Sequence, residues 1–193
     1  MNVIDLARAN NGIVTTELAL RSGIQRSRLS EATAAGELVR VGPGLYCLPE
    51  SWEDEYALSQ IRFTKGVFSH GTALFLHDMT DRTPERLTMT FPRAYNATAA
   101  RNEGIVVKTC SDEVIELGLT TITDPSGIDV RAYDVERTLC DLLRGSRVVD
   151  VQIVNPAMRR YAASKEKKLG TLMDYAKKLG VERKVRNYME VRL

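Results

Sequence analysis

Short apolar segments at helical spacing dominate the first 48 residues of the chain. Apolar side chains recur every three to four positions over residues 2–10, which predicts an α-helix that an Asn-Gly pair ends. Thr15 is a typical N-cap residue and predicts a second helix that stops at Ser22 and Gly23. A third helix is predicted over residues 25–35. The short break between the second and third helices is typical of a helix-turn-helix.

Two strand-like runs follow the third predicted helix. Residues 38–41 and 45–48 are mostly apolar, and Gly42, Pro43 and Gly44 lie between them. Apolar runs around a Gly/Pro turn predict a β-hairpin. Three helices followed by a hairpin is the element order of a winged helix-turn-helix. The sequence therefore predicts a DNA-binding domain over residues 1–48 and a second domain over residues 49–193.

The third predicted helix has one apolar face and one polar face. On a helical wheel, Leu29, Ala32 and Thr33 cluster on the side that would face the core. The opposite side is small and polar, which lets a helix approach base edges, and the arginines beside it can reach phosphates or guanine. The tip of the hairpin would lie along the DNA backbone or the minor groove. The predicted DNA-binding residues of this domain are Arg26, Ser27, Arg28, Ser30, Arg40 and Gly44.

The middle of the chain alternates between helix and strand patterns. Ser51 predicts the N-cap of a helix through about residue 63, and Ser69 precedes a short helix over residues 71–77. Residues 87–91 alternate strictly, which predicts a strand with one buried face. Further strands are predicted over residues 105–110, 115–123 and 128–132. These elements predict a small antiparallel sheet with attached helices, and therefore an α+β fold.

The last third of the chain carries helical patterns. Asp134 predicts the N-cap of one helix, and Asn155 followed by Pro156 predicts the start of the next. Ser164 predicts the cap of a further helix. Its apolar stripe at helical spacing consists of Leu169, Leu172, Met173, Ala176 and Leu179. A last amphipathic helix completes this predicted helical tail.

The composition indicates where in the cell the protein acts and whether it binds a metal or a cofactor. No apolar run approaches the ~20 residues of a membrane span, and no basic segment followed by an apolar one opens the chain. We therefore expect a cytoplasmic protein that does not contact a membrane. Cys47, Cys110 and Cys140 lie in apolar segments at wide spacings, which favours buried small side chains over zinc ligands. We expect no metal and no cofactor.

Charge is distributed unevenly along the chain. Residues 49–158 carry a net charge of −6, whereas residues 159–193 carry +7. A basic tail after an acidic middle predicts contact with a polyanion or an acidic partner, and a solvated helix face is the alternative explanation. If the polyanion is DNA, the tail adds attraction to the phosphate backbone. The candidate residues are Arg159, Arg160, Lys165, Lys167 and Lys168.

The sequence carries no strong catalytic motif. His70 and His77 are the only histidines, and on a helix their spacing is about 10 Å, too far for one metal ion. The Glu-x-Lys spacings that begin at Glu166 and Glu182 fit half of a nuclease motif, but both lie in helical patterns, whereas the motif needs a strand. We predict that the protein is not an enzyme. The alternative is a metal-dependent nuclease whose cleavage is lost with Glu166.

Four segments of the second predicted domain resemble one known family. They are residues 69–84 (SHGTALFLHDMTDRTP), 87–92 (LTMTFP), 133–141 (YDVERTLCD) and 174–181 (DYAKKLGV). Together with the winged helix predicted at the N-terminus, they resemble the AbiEi family of bacterial type IV antitoxins. The resemblance follows the order of essentially the whole chain.

This resemblance implies a two-domain antitoxin that regulates its own synthesis. The N-terminal domain would bind inverted repeats of operator DNA upstream of its own operon and repress it, and a homodimer would suit palindromic DNA. The C-terminal domain would counteract a cognate nucleotidyltransferase toxin, in abortive infection against phage, without the need for a stable complex. The resemblance also implies that basic surface on both domains contacts operator DNA.

A function in protein binding also stays open at this point. The first predicted domain has a net charge of only +1, which is weak for a DNA-binding module, and winged helices bind proteins as well. The chain would then be an antidote that binds the toxin directly without specific DNA recognition. DNA binding with little or no salt dependence would favour this alternative.

Overall fold

The computed structural model describes residues 2–51, 54–144 and 150–190. The chain divides into two units, Met1–Thr64 and Lys65–Leu193. Each unit combines helices with a β-sheet of its own, which has three strands in the first unit and five in the second. The predicted α+β class is confirmed.

The first unit contains short helices and a small antiparallel sheet. Its elements are α1 (Val3–Arg8), β1 (Ile13–Thr15), α2 (Thr16–Arg21), α3 (Arg26–Ala34), β2 (Val39–Gly42), β3 (Leu45–Cys47), a 3-10 helix (Pro49–Ser51) and α4 (Glu55–Arg62). Strand β3 lies between β1 and β2 and pairs antiparallel with both. The β2–β3 hairpin was predicted from the sequence. Strand β1 was missed because three residues are too few for a periodic signal.

Local hydrogen bonds set the helix boundaries in the first unit. The Asn2 side chain accepts a hydrogen bond from the Asp5 N–H at 2.8 Å and caps α1. Thr15 Oγ1 accepts one from the Leu18 N–H at 3.0 Å, which confirms Thr15 as the cap of α2. The apolar faces of these helices meet in a single core. Its buried residues include Leu6, Val14, Ala19, Leu29 and Leu38.

Helix α4 begins later than the sequence predicted. Asp54, not Ser51, is its N-cap, and Asp54 Oδ1 accepts a hydrogen bond from the Ala57 N–H at 2.9 Å. Ser51 instead ends the 3-10 helix, which begins at Pro49 because the fixed φ of proline suits the first position of a helical turn. The prediction of Ser51 as N-cap is wrong. Through α4 the first unit extends past residue 48 to Thr64.

The second unit contains a five-stranded sheet and a series of helices. Its strands are β4 (Val67–Phe68), β5 (Thr88–Pro92), β6 (Val106–Cys110), β7 (Leu119–Thr123) and β8 (Asp129–Tyr133). Its helices are α5 (His70–Leu76), α6 (Thr98–Asn102), α7 (Val135–Leu143), α8 (Val151–Ala163), α9 (Leu169–Lys178) and α10 (Glu182–Glu190), with a 3-10 helix at Asp112–Val114. None of the helices described in either unit has the length and apolar character that crossing a membrane requires.

The sheet of the second unit is mixed rather than antiparallel. Its strand order is β6-β5-β4-β8-β7. The β4–β5 and β7–β8 pairs are antiparallel, whereas the β5–β6 and β4–β8 pairs are parallel. The prediction failed because parallel strands need a crossover, and the crossover helix α6 has five residues, too few for a periodic signal. The two-residue strand β4 was missed for the same reason.

Strand β5 is buried on both faces, not on one face as its alternating pattern predicted. Thr88 and Thr90, the polar members of the alternation, are 9% and 3% exposed. The Thr88 N–H donates to Thr72 Oγ1 at 2.8 Å, and Thr90 Oγ1 donates to Ser69 Oγ at 2.8 Å. Residues at the start of α5 therefore supply the hydrogen bonds that water would supply on an open face.

Two of the three predicted helix starts in the C-terminal part are wrong. Asp134 caps α7 as predicted, with its Oδ1 accepting a hydrogen bond from the Arg137 N–H at 2.7 Å. Helix α8, however, begins after Asp150 and runs through Pro156, because the Asp150 carboxylate caps its first turn. Ser164 ends α8 instead of capping α9.

Helices α5, α7, α8, α9 and α10 of the second unit share one large apolar core. Most of the stripe predicted for α9 lies in it, although Leu169 is exposed. Its fully buried members include Leu74, Leu139, Leu143, Met158, Leu172 and Val185. The three cysteines are free and buried, as their apolar surroundings predicted.

Candidate nucleic-acid interface

Helix α3 is held in the first unit by its apolar face. Leu29 is 1% exposed and Ala32 is 4% exposed, while Thr33 is half-buried. The Thr33 hydroxyl donates to the Leu29 carbonyl at 2.7 Å, so its polar atom is satisfied within the helix. The core-facing side predicted from the helical wheel is confirmed. This anchoring fixes which residues of α3 face solvent.

The opposite face of α3 is small, polar and exposed. Arg26, Ser27 and Ser30 are all exposed on it. Arg28 is exposed as well, but its Nη1 forms an ion pair with Glu31 Oε2 at 2.8 Å. Sequence analysis missed this pair, although charges three positions apart on a helix are a known signal for one. Among the described residues Arg26 has no ion-pair partner, so the face combines this arginine with a paired arginine and two hydroxyls.

A glycine junction joins α2 to α3. Ser22 ends α2, and Gly23 follows with φ +76°, which glycine adopts without steric cost. The Ile24 N–H donates back to the Ala19 carbonyl at 2.9 Å, and the Ile24 side chain is buried. The chain thus turns within the four residues 22–25, which separate α2 from α3. This is the tight connection that the sequence predicted.

The β2–β3 turn presents Arg40 next to two structurally constrained glycines. Arg40 is exposed, and its Nε donates to the Gly42 carbonyl at 3.4 Å. Gly44 has φ +69°, and its carbonyl accepts a hydrogen bond from the Thr16 N–H at 2.8 Å. A side chain at Gly44 would meet Thr16 Oγ1 at 3.3 Å from its Cβ, so glycine suits this position on two grounds. Gly44 therefore shapes the turn, while Arg40 gives the turn an exposed positive charge.

The basic residues predicted in the tail differ in how accessible their charged groups are to a ligand. Arg159 lies on α8, whereas Lys165 and Lys168 lie in the segment between α8 and α9, and all three are exposed. Lys167 is half-buried, and its Nζ donates to the Ser164 carbonyl at 3.1 Å. Glu166 lies in the same segment, in a turn and not in the helix that its pattern suggested.

Arg160 is engaged on the surface of the second unit. Its Nη1 donates to the Asp78 carbonyl at 2.8 Å, and its Nη2 lies 3.1 Å from Asp81 Oδ1. Asp78 has φ +54°, an uncommon backbone conformation for a residue other than glycine. Arg160 thus ties α8 to the loop after α5. A phosphate would have to compete with these contacts for its guanidinium.

The comparison with known families bears on the first unit. Residues 1–49 match a family model described as "Transcriptional regulator, AbiEi antitoxin". Residues 1–49 form an AbiEi regulator domain. The resemblance seen in the sequence is confirmed over this range, which ends within the 3-10 helix that follows the hairpin.

A solved structure matches the chain beyond this domain. The crystal structure of the RV2827C protein from Mycobacterium tuberculosis aligns with a TM-score of 0.60 and 16% sequence identity, and the alignment covers 100% of this chain and 80% of that one. At this identity the likeness shows a shared fold. No curated protein matches the chain.

The two histidines of the chain have separate environments in the second unit. His77 Nε2 lies 2.8 Å from the Tyr133 carbonyl, so it serves as a structural contact between α5 and β8. His70 Nδ1 lies 3.1 Å from Ser69 Oγ. The pKa of His70 is lowered from 6.5 to about 4, mainly by burial and also by the nearby charges of Lys108 and Arg137. His70 is therefore neutral at pH 7.

Sequence analysis missed Arg137, the largest fully buried side chain among the described residues. Its guanidinium lies 4.2 Å from the centre of the Tyr133 ring, and its Nε lies 3.0 Å from Asp141 Oδ2. Burial raises the pKa of Asp141, and Arg137 opposes that rise. The spacing of four residues between Arg137 and Asp141 on one helix was the available signal.

Proposed function

We propose that the chain is a transcriptional autorepressor and antitoxin whose first unit is a winged helix-turn-helix. The observation that carries this proposal is the exposed polar face of α3 in a domain of the AbiEi regulator family. Helices α2 and α3, joined at Gly23, form the helix-turn-helix, and the β2–β3 hairpin forms the wing. This arrangement suits insertion of α3 into the major groove of operator DNA.

The residues of α3 and the wing have distinct roles in this proposal. Ser27 and Ser30 are short enough to let the helix approach base edges, and their hydroxyls can donate to or accept from bases. Arg26 and Arg28 flank them and reach phosphates or guanine. Arg40 contacts the DNA backbone from the wing, and Gly44 maintains the shape of the turn.

Attraction to DNA requires more positive charge than α3 and the rest of the first unit supply. The first 48 residues carry a net charge of only +1, and Glu31 neutralises one of the arginines on the recognition face. Exposed Arg159, Lys165 and Lys168 of the second unit supply additional attraction to phosphates. Two copies on an inverted repeat would double both contributions, and this favours a homodimer on DNA.

The antitoxin role is assigned to the second unit. We propose that it counteracts a cognate nucleotidyltransferase toxin, as in type IV systems that protect against phage, and that it acts without catalysis of its own. The positions of two glutamates support this choice. Glu166 lies in a turn and Glu182 lies on α10, whereas a nuclease motif of the Glu-x-Lys type needs its glutamate on a strand.

The test of the DNA-binding role is a fluorescence anisotropy titration with the full chain. The probes are the DNA upstream of the gene and a scrambled duplex of the same length, each at two salt concentrations. Selective binding that the Ser27→Ala/Ser30→Ala double variant reduces on the upstream DNA alone is the expected result. Equal, weak binding to both duplexes would contradict the proposal.

A groove of about 710 Å³ beside α3 favours a second candidate function, direct binding of the toxin protein. It is lined by residues of α1 and α3, among them Ile4, Arg28 and Glu31, and by Ile24 before α3 and Ala35 directly after it. Pull-down of the purified toxin by the full chain, lost in an Ile4→Asp variant that remains folded, would support this function. In that case DNA binding would show little or no salt dependence.

A further inference from the structure

A second cavity lies entirely within the second unit and is cationic. It has a volume of about 310 Å³ and is lined by side chains from β5, β6, α5 and α7. Lys108, Arg137 and Arg144 contribute positive charge to it, and Asp141 contributes the single carboxylate. Its volume is at the lower end of the range for small-molecule sites, which begins at roughly 300 Å³. The cavity therefore suits a compact anion.

Arg137 gives this cavity a buried hydrogen-bond donor whose position is fixed by other contacts. Its side chain is 0% exposed, and its Nε is held by Asp141 at 3.0 Å. Its Nη1 donates to the carbonyl oxygens of Val114 and Leu117 at 2.5 and 2.7 Å. Within the described residues, however, Nη2 is buried and has no hydrogen-bond partner. A buried guanidinium nitrogen without an acceptor is costly, and an oxyanion in the cavity would satisfy it.

The other lining groups match the same ligand. Lys108 is exposed on β6 beside buried Thr90 of β5, because these two residues are partners in the parallel register. The described residues give the Lys108 ammonium no ion-pair partner. His70 is engaged through Nδ1 with Ser69 Oγ, which leaves Nε2 as its other polar atom. A site with guanidinium, ammonium and imidazole groups favours a compact, multiply charged oxyanion.

We propose that this cavity binds a phosphoryl oxyanion, held by Arg137 with Lys108 and Arg144 as further cations. A dianion at neutral pH matches the excess of positive charge better than a planar monoanionic carboxylate does. The site is independent of the recognition face of α3, so it stands whether or not the first unit binds DNA. It gives the second unit a ligand of its own.

The test measures binding of inorganic phosphate to the full chain by isothermal titration calorimetry at constant ionic strength. Sodium chloride and sodium sulfate serve as comparison salts. Saturable phosphate binding, weakened about tenfold in Lys108→Met and in Arg144→Ala but unchanged in Lys178→Met, is the expected result. Lys178 is an exposed lysine on α9 and is not a lining residue of the cavity. Equal responses to all three salts, or binding that both cavity variants leave unchanged, would overturn the proposal.

A parallel titration with a nucleoside monophosphate distinguishes free phosphate from the phosphate group of a larger ligand. Tighter binding of the monophosphate assigns the cavity to a phosphorylated molecule, and tighter binding of inorganic phosphate assigns it to the free ion. Absence of binding by both would overturn the proposal. Because Arg137 is buried and a substitution there can unfold the unit, the test relies on the exposed Lys108 and Arg144.

Proton NMR of the imidazoles provides a second readout. The chain has only two histidines, so an Asn variant of each assigns both resonances. Bound phosphate places negative charge beside His70 and is expected to raise its pKa above about 4, while His77 serves as the internal reference. A His70 titration curve that saturating phosphate leaves unchanged would contradict binding in this cavity.

Discussion

Arg28 on the exposed face of α3 is paired with Glu31 on the next turn of the same helix, with Nη1 2.8 Å from Oε2. Both side chains are largely exposed, at 70% and 58%. Exposed pairs of this kind contribute only about 0.3–0.5 kcal/mol. A DNA phosphate can therefore displace Glu31 from Arg28, but the remaining carboxylate would repel that phosphate.

Removal of the Glu31 charge is expected to strengthen DNA binding. The Glu31→Gln variant keeps the helix but frees Arg28 and removes a like charge near the phosphates, so we expect operator affinity to rise about fivefold, on the order of 1 kcal/mol. Anisotropy titrations at several salt concentrations would measure it. Glu182→Gln is the matched control, since Glu182 pairs with Arg186 on α10 at 2.9 Å, outside the proposed interface. Unchanged operator affinity in Glu31→Gln would show that α3 does not lie in the DNA interface.

The hydroxyls of α3 should determine sequence preference rather than general attraction. Ser30→Ala is expected to relax the preference at one base-pair position, with a loss of discrimination of about 1–3 kcal/mol and little change on scrambled DNA. Binding measured against operators substituted at each position would reveal which position it is. A uniform loss on all duplexes would show that Ser30 does not read a base.

Lysines of the second unit should show the opposite behaviour. Lys168→Ala removes an exposed cation, so affinity should fall alike for operator and scrambled DNA, and the slope of log K against log salt should decrease by about one. Lys167→Ala is a useful comparison because its ammonium is bound to the Ser164 carbonyl. An unchanged salt slope in both variants would mean that this segment does not meet DNA.

Local signals explain which parts of the fold could be predicted from sequence. Thr15 and Asp134 cap their helices because a short polar side chain can bond its own helix, whatever the rest of the chain does. The helical wheel correctly predicted the core-facing side of α3, because Leu29 and Ala32 lie on the same side of the helix and both are buried. Predictions failed where two caps competed, as Ser51 did with Asp54, since sequence alone does not show which oxygen reaches the helix.

Long-range relationships explain what could not be predicted. The parallel pairing of β4 with β8 joins Phe68 to Ala132, and no local pattern reports a partner so far along the chain. No local pattern shows that Arg137 is buried, because its Nη1 donates to the carbonyls of Val114 and Leu117, which lie on another segment. The cationic cavity depends on this contact, so the sequence did not indicate it.

Substitutions of two adjacent arginines on α8 should affect different properties, DNA binding in one case and stability in the other. Arg159 is exposed, and the described residues give its side chain no ion pair, whereas Arg160 binds the Asp78 carbonyl and Asp81. Arg159→Ala is expected to weaken DNA binding and leave stability unchanged. Arg160→Ala should lower the free energy of unfolding by about 1 kcal/mol, measured by urea denaturation, because it removes one exposed ion pair and one charged hydrogen bond. The reverse result would place Arg160 on the DNA.

His70 should make the chain less stable in mild acid. Its pKa is about 4 in the fold and about 6.5 when unfolded, so between these values the unfolded chain binds a proton that the folded chain does not. Stability should therefore fall as pH drops from about 6.5 to 4, by at most about 3 kcal/mol and by less if the partly exposed ring is solvated. His70→Asn removes the titrating group and still suits the backbone there, since asparagine tolerates the φ of +54°.

Urea denaturation at pH 7 and pH 4.5 measures this effect, and the difference between the two pH values should be smaller in His70→Asn than in the unaltered chain. His77→Asn is the control, because it removes the other imidazole while His70 still titrates. Carboxylates that titrate in the same interval are common to all three proteins and cancel in the comparison. Identical pH dependence in His70→Asn and the unaltered chain would show that His70 is hydrated in the fold, and it would then titrate near its ordinary pKa.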